Sequence, residues 1–492
     1  MPPVLLKLRR VSVLSIKMDE LIIKINNDGK QIFAFQGERL SDVLIRNGYD
    51  IPMPCGGKGR CGKCCVDVNG FSVLACRTFL TKDIEVSLPI NGTNIYVHQG
   101  LIESEMFQGD VASFALDIGT TTVTLALLDG EDGVSETVTF KNPQTIYGAD
   151  VITRINAVKT VGTEALRKPL IDEITKIIGE LGKKHGFQKV NEITVCGNTT
   201  MLHIFWGEDC TTLGYAPYTP RFIGKRNGSA LEFGFSFESK VRSLAGISAF
   251  VGSDVAAGLV TAEMPQEGRK NIWIDFGTNA EVAVFDSKEY ITTATAAGPC
   301  FEGANISCGM PATDGAITRF ILGGDNIPEI THLGKEPIGL CGTGLIDVVA
   351  ELLKKGIIDS TGYLKIDKGF PICHNVVLTQ KDIREFQLAK SAIRSGLETL
   401  LEKAGAKYED VEKVYLAGGF SSFISVDSAT ICGLIPKVFS DRCVSLANAA
   451  LRGTVMCAQG KADEQRVVEL AMPIELNAQE CFTDKFMEYI GF

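Results

Sequence analysis

The chain has 492 residues, 45% of them hydrophobic and 22% charged, which suits roughly three globular domains and excludes wholesale disorder. Lys and Arg number 49 against 59 Asp and Glu, a formal net charge of −10 without a basic block, which argues against nucleic acid as a partner. No run approaches the ~18 consecutive apolar residues of a membrane span.

Residues 1–18 read as an N-terminal extension. Lys7, Arg9, Arg10 and Lys17 are scattered among its apolar residues, unlike the basic start and unbroken apolar run of an export signal. A cytoplasmic protein is expected, and its 15 cysteines should be reduced thiols or metal ligands. Those dispersed after residue 190 read as small buried hydrophobes.

The first strong pattern is LIIKINNDGKQIFAF (residues 21–35), two alternating runs around a turn, which predicts a β-hairpin. A helix follows, with Ser41 as its expected N-cap, Leu40, Val43 and Leu44 at helical spacing, and Gly48 as its stop. Next come the loop PCGGKGRCGKCCV, short strands near Val66–Val68 and Val73–Ala75, and Cys76. The spacing Cys55-x5-Cys61-x2-Cys64-x11-Cys76 supplies four thiolates, the ligand set of a [2Fe–2S] cluster. Gly56, Gly57, Gly59 and Gly62 allow positive φ angles, so that free amides can turn towards cluster sulfurs. A structural Zn(Cys)4 site is the alternative, although zinc sites usually present two C-x2-C knuckles and this loop has one. Cys65, adjacent to Cys64, should point the opposite way on a strand. Hairpin, helix, cluster loop and closing strands, over residues 19–90, resemble the β-grasp ferredoxins of the plant and adrenodoxin type.

Residues 91–112 show no sustained periodicity and read as a linker. FALDIGTTTVTLALLD (residues 114–129) is then an apolar strand that breaks at Asp-x-Gly-Thr and resumes as a strand, and IWIDFGTNAEVAVFD (residues 272–286) repeats it. Asp117 aligns with Asp275, Gly119 with Gly277 and Thr120 with Thr278, at a constant offset of 158. A hairpin tip of Gly and Thr lets backbone amides and hydroxyls approach a phosphate. An aspartate beside it can hold Mg²⁺ through water or orient an attacking water. Asp117 and Asp275 are therefore the catalytic candidates, and Gly119, Thr120, Thr121, Gly277, Thr278 and Asn279 the phosphate-binding ones. One such turn could be a bare hairpin; two in register point to a triphosphate gripped from both sides.

The duplication resembles the phosphate loops of the superfamily that includes actin, hexokinase, acetate kinase and the heat-shock chaperone ATPases, and the resemblance implies ATP bound between two ribonuclease H-like lobes. SAFVGSDVAAGLV (residues 248–260) is similar to that superfamily's lobe-joining helix, and VYLAGGFSS (residues 414–422) to its adenosine motif, with Gly418 and Gly419 against base and ribose. GLCGTGLIDVVAELLKKGIID (residues 339–359) opens a helix with Gly342, Thr343 and Gly344, which either contact nucleotide through N-terminal amides or close a tight helix packing. A stripe of Leu166, Leu170, Ile174, Ile177 and Leu181, and a second helix over residues 388–404, complete an alternating α/β pattern. The expected fold class is α/β multidomain: a β-grasp ferredoxin-like domain at 19–90 and a two-lobed actin-like ATPase body at 113–492. Lobe I should span about 113–262 and lobe II about 270–450, with the C-terminal segment returning to the body.

From residue 19 onward the chain resembles the reductive activators of corrinoid proteins. The likeness is carried by CGGKGRCGKC, both hairpins, CGNTTMLHIFWG (residues 196–207), GYAPYTPRF (residues 214–222), AAGPCFEGANISCGM (residues 296–310) and LAGGFSS. It implies an ATP-dependent electron-transfer protein that uses a [2Fe–2S] cluster, ATP and Mg²⁺. Its partner is a corrinoid protein of an anaerobic methyltransferase system, returned from Co(II) to Co(I). An external low-potential donor is implied, and a homodimer is compatible with the resemblance. Two other readings are an activator of the 2-hydroxyacyl-CoA dehydratase type, against which the N-terminal ferredoxin module counts, and a small-molecule kinase with a regulatory cluster, whose base would be Asp254, Asp275 or Glu302. A redox-sensing, chaperone-like binding module is a third, which the lack of a peptide-binding domain disfavours.

Overall fold

The computed structural model describes residues 20–49, 51–53, 55–59, 63–88, 107, 109–130, 133–277, 279–324, 327–334, 336–419 and 421–492. Cys61 and Thr278, both expected at functional sites, lie outside the described residues. The chain divides into a small compact unit within the first 90 residues and a large one that carries the remainder.

In the small unit β1 (Glu20–Ile25) and β2 (Gln31–Phe35) pair antiparallel. Their alternation turns Leu21, Ile23, Ile25, Ile32 and Ala34 into one core face. Helix α1 (Leu40–Arg46) packs Leu40, Val43 and Leu44 onto it. Ser41 is not the N-cap: Arg39 holds that position without a side-chain cap, and Ser41 is buried in the first turn. The reason is a backbone partner, since Leu40 N–H donates to Thr78 O at 2.9 Å and Arg39 bridges Phe79. Strands β3 (Cys65–Val68), β4 (Phe71–Leu74) and β5 (Ile84–Ser87) complete a sheet of order β2-β1-β5-β3-β4 in which β1 and β5 run parallel.

The large unit repeats one motif. In lobe I, β6 (Val111–Ile118), β7 (Thr122–Asp129) and β8 (Gly133–Lys141) form an antiparallel meander. Strand β6 begins inside the expected linker, because Val111 and Ala112 pair with Lys189 and Val190. Helices α2 (Val151–Val161) and α3 (Thr163–His185) lead to β9 (Lys189–Gly197), which lies parallel to β6. The predicted stripe of α3, Leu166 through Leu181, is buried in the lobe I core. Helix α4 (Thr199–Phe205), strands β10 (Arg226–Ser229) and β11 (Lys240–Ser243), and helix α5 (Ser253–Leu259) finish the lobe.

Lobe II opens with a second meander, β12 (Lys270–Phe276), β13 (Ala280–Phe285) and β14 (Tyr290–Thr295). A side sheet of β15 (Ala316–Leu322), β16 (Pro328–His332) and β17 (Gly339–Leu340) precedes α6 (Gly342–Lys354). The hairpin of β18 (Phe370–Cys373) and β19 (Val376–Leu378) leads into α7 (Gln380–Lys403), which starts well before the predicted residue 388. Thr379 sets that start, accepting from Asp382 N–H in a capping box. Strand β20 (Val411–Ala417) lies parallel to β12, as β9 does to β6. After α8 (Val426–Ile431) and β21 (Cys443–Ser445), α9 (Ala449–Ala458) crosses α5 so closely that a Cβ on Gly453 would stand 1.7 Å from Ala257 O. The chain then runs through α10 (Glu464–Leu470) and β22 (Ala471–Pro473), which adds in parallel to β14, and ends with α11 (Glu480–Glu488). Lys390 and Gln387 on α7 hold the last turn by donating to the carbonyls of Tyr489, Ile490 and Gly491.

Candidate functional site

The cysteine loop is shaped by its glycines. Gly56, Gly57 and Gly59 all take positive φ, at 60°, 74° and 72°, and a Cβ on Gly59 would stand 2.3 Å from Arg77 Nε. Cys55, Cys64 and Cys76 are buried, and the sulfurs of Cys64 and Cys76 lie 3.2 Å apart, too far for a disulfide. Cys65, on β3, faces away and meets Ser72 Oγ at 2.8 Å. Two buried thiols brought side by side, Cys64 and Cys76, are part of the donor set that an iron–sulfur cluster takes. The fourth predicted ligand, Cys61, is outside the described residues.

In the large unit the two hairpin tips border one cavity of about 910 Å³ between the lobes. Its wall includes Asp117, Gly119, Thr120 and Thr121 from lobe I, and Asp275, Gly277, Asn279, Gly342, Gly418 and Gly419 from lobe II. A Cβ on Gly119 would stand 2.6 Å from Thr122 O, so the tight tip demands glycine there. Gly418, at φ 101°, lets β20 end against the second hairpin, where a Cβ would stand 2.7 Å from Asp275 Oδ1, whereas Gly419 faces open space. Thr343 and Gly344 do not line the cavity. The Thr343 hydroxyl donates to Thr318 O at 2.9 Å, and Gly344 makes room for Ile317 O, so both serve the packing of α6 on β15.

The first tip is held from behind by groups that the sequence did not single out. Asn142 Nδ2 donates to Gly119 O at 2.8 Å, and Asn198 Nδ2 to Thr120 Oγ1 at 3.1 Å. Arg154, 0% exposed, donates to Thr120 O and, at 3.1 Å each, to Gly148 O and Gln144 Oε1. Burial draws its guanidinium down to about 9, against the pull of Glu302 and Asp150. Asn198 was legible as a polar residue after the glycine that ends a strand; Arg154 carried no local signal.

Around the cavity stand Asp117, Asp254, Asp275 and Glu281, part-exposed to the cavity yet deep in the molecule. Burial, reinforced by Asp254, raises Asp117 to about 7, while a hydrogen bond from the Cys196 thiol (3.5 Å) opposes the rise. Burial raises Asp254 to about 6, and burial with the charges of Asp254, Asp117 and Glu302 raises Asp275 to about 8. Glu281, directly across the ladder from Asp275, is pushed well above the usual carboxylate range by the same causes. Such mutual repulsion is what a divalent cation or a metal-bound polyphosphate relieves. Among the described residues no three of these side chains converge on a single point, so a cation here would be held with water in its shell.

The comparisons with known proteins follow the same division. Residues 23–85 match the 2Fe-2S iron-sulfur cluster binding domain, residues 112–267 the RACo middle region, and residues 269–492 the C-terminal domain of RACo, the ASKHA domain. The middle-region match falls on lobe I. The chain is 28% identical over 583 residues to the corrinoid activation enzyme RamQ of Eubacterium limosum, covering 93% of this chain and 97% of that protein. It is 27% identical over 396 residues to a [Co(II) methylated amine-specific corrinoid protein] reductase of Methanosarcina barkeri, covering 73% and 72%. The solved structure of a reductive activator for corrinoid,iron-sulfur protein shares the fold, with a TM-score of 0.69 at 24% identity over 96% of this chain and 98% of that one. Among the described residues no helix is long and apolar enough to cross a membrane. With its 2Fe-2S domain followed by both RACo regions across residues 112–492, the chain belongs to the RACo family of reductive activators of corrinoid proteins.

Proposed function

We propose that this protein restores a corrinoid methyl carrier by reducing its cobalt from Co(II) to Co(I) at the expense of ATP. The observation that carries the reading is the pairing, in one chain, of a 2Fe-2S-type domain whose cysteine spacing suits a [2Fe–2S] cluster with a cavity bordered by two Asp-x-Gly hairpins. The cobalt gains one electron, which the cluster supplies when bound and recovers from an external low-potential donor. Cys55, Cys61, Cys64 and Cys76 would hold it, and burial of three of them keeps water from the sulfurs. The hairpin tips, Gly119 to Thr121 and Gly277 to Asn279, would bind the phosphates, with Asp117 and Asp275 beside them to orient a water or a hydrated Mg²⁺. Gly418 and Gly419 would receive the adenosine.

ATP enters for an energetic reason. Plant-type [2Fe–2S] centres lie near about −400 mV, and Co(II)/Co(I) couples of corrinoids are lower, so the bare transfer is uphill. Lobe closure around nucleotide would change how the protein engages the corrinoid carrier and so its cobalt ligation, with hydrolysis releasing the partner. The test is anaerobic visible spectroscopy of a Co(II) corrinoid carrier with reduced protein. Co(I) should appear with Mg-ATP and not without it, and Asp117→Ala should abolish the reaction while leaving the cluster spectrum unchanged. Nucleotide-independent reduction by the variant would overturn the mechanism.

A further inference from the structure

Thr121, at the tip of the first hairpin, donates its hydroxyl to Glu302 Oε2 at 2.9 Å. The two residues are 181 positions apart and belong to different lobes, and both line the cavity, so this hydrogen bond spans the cleft. On the lobe I side the bond lies next to Thr120, whose carbonyl is bound by the buried Arg154, and the nearby Glu302 charge favours the charged form of Arg154. On the lobe II side Glu302 ends a short 3-10 turn, Pro299–Glu302, that is packed closely at its end. Phe301 before it is buried, with its carbonyl packed where a Cβ on Gly342 would stand 2.1 Å away. Gly303 after it, at φ 81°, has the backbone nitrogen of Met310 where its own Cβ would be, at 2.4 Å.

We propose that Glu302 is a cross-cleft latch and a selectivity residue of the nucleotide site: its carboxylate competes with nucleotide phosphate for the Thr121 hydroxyl and the Arg154 charge, and holds the lobes together until phosphate displaces it. The inference rests on the reading that this cleft binds ATP. A threonine hydroxyl has one proton to donate, so it serves the carboxylate or a phosphate oxygen, not both. Two anions side by side repel, and a cavity already walled by Asp117, Asp254, Asp275 and Glu281 offers them, among the described residues, the relief of the buried Arg154 guanidinium, to which a cation can add. Exchange of one anion for the other keeps the Arg154 charge compensated throughout, which makes the swap cheaper than opening an empty site. The same competition disfavours a nucleotide without its cation.

The decisive variant is Glu302→Gln, which keeps size, leaves the Thr121 hydroxyl only a weaker neutral acceptor and removes the charge. Titration of the full-length, cluster-loaded protein with Mg-ATP should show about tenfold tighter binding in the variant, equivalent to ~1.4 kcal/mol. Hydrogen exchange of the hairpin peptide spanning residues 118–122, followed without nucleotide, should be faster in the variant and equal to wild type once Mg-ATP is bound. Equal ATP affinities with unchanged exchange would refute the latch and leave the ATP reading standing. Weaker binding by the variant would also refute it, assigning Glu302 to nucleotide retention. If neither protein binds ATP while both melt cooperatively, the ATP reading itself fails and the latch with it.

Discussion

Asp275→Asn tests the electrostatics of the cleft by setting stability against function. In the folded protein Asp275 is raised from 3.8 to about 8 by burial and by its acidic neighbours, so folding at neutral pH requires it to take up a proton or to carry a repelled charge. The sign follows directly: a raised carboxylate stabilises the fold fully below its unfolded value, and that contribution is lost as pH rises through the folded value. For Asp275 the loss runs from about pH 4 to about pH 8. Asp117 and Asp254, at about 7 and about 6, push in the same direction. At pH 7 the full mismatch of one such group is worth ~4 kcal/mol, and cavity water screens it to about 1 kcal/mol. The neutral amide should therefore melt roughly 2 °C higher than wild type at pH 7.5 without nucleotide, with the two curves converging near pH 4. Mg-ATP should raise the melting temperature of wild type and not that of the variant, and ATP-driven cobalt reduction should be lost. Differential scanning fluorimetry across pH, with and without Mg-ATP, reads all of this. A variant less stable than wild type at every pH would show that the Asp275 carboxylate makes net favourable contacts, and the repulsion argument would be wrong.

Two steric and chemical expectations are equally direct. Gly119→Ala places a methyl 2.6 Å from Thr122 O, so the hairpin tip must open, costing ~1–3 kcal/mol and weakening ATP binding in calorimetry. Gly419→Ala, with nothing within 4 Å of its Cβ, should leave the melting temperature unchanged and weaken only the nucleotide, which separates a fold requirement from a site requirement. Cys64→Ser should remove the visible absorbance of the reconstituted cluster while the large unit keeps its melting transition and its ATP affinity, since Cys64 packs within the small-unit core.

Much of the site was legible because its chemistry is written in contiguous residues. A strand that breaks at Asp-x-Gly and resumes must turn back on itself, so both hairpins, and the cavity they share, follow from two short stretches and their repetition. The cysteine loop was legible for the same reason. What stayed hidden arrives from a distance. Cys196 reaches Asp117 only because β9 pairs in register beside β6, and a lone cysteine at a strand end reads as ordinary core. Arg154 sits on a helix whose pattern gives no hint that a guanidinium would be buried behind a hairpin, and Glu302, named from the sequence only as a possible kinase base, reaches Thr121 from the other lobe. Thr343 and Gly344 show the converse error built into motif reading. Glycine at a helix start admits either a phosphate or a neighbouring backbone, because both need the same missing Cβ. Here the space at Gly344 is taken by Ile317 O, while at Gly419 nothing occupies it. The letters of the two motifs are alike, and only the identity of what stands within 4 Å tells a packing glycine from one that can receive a ligand.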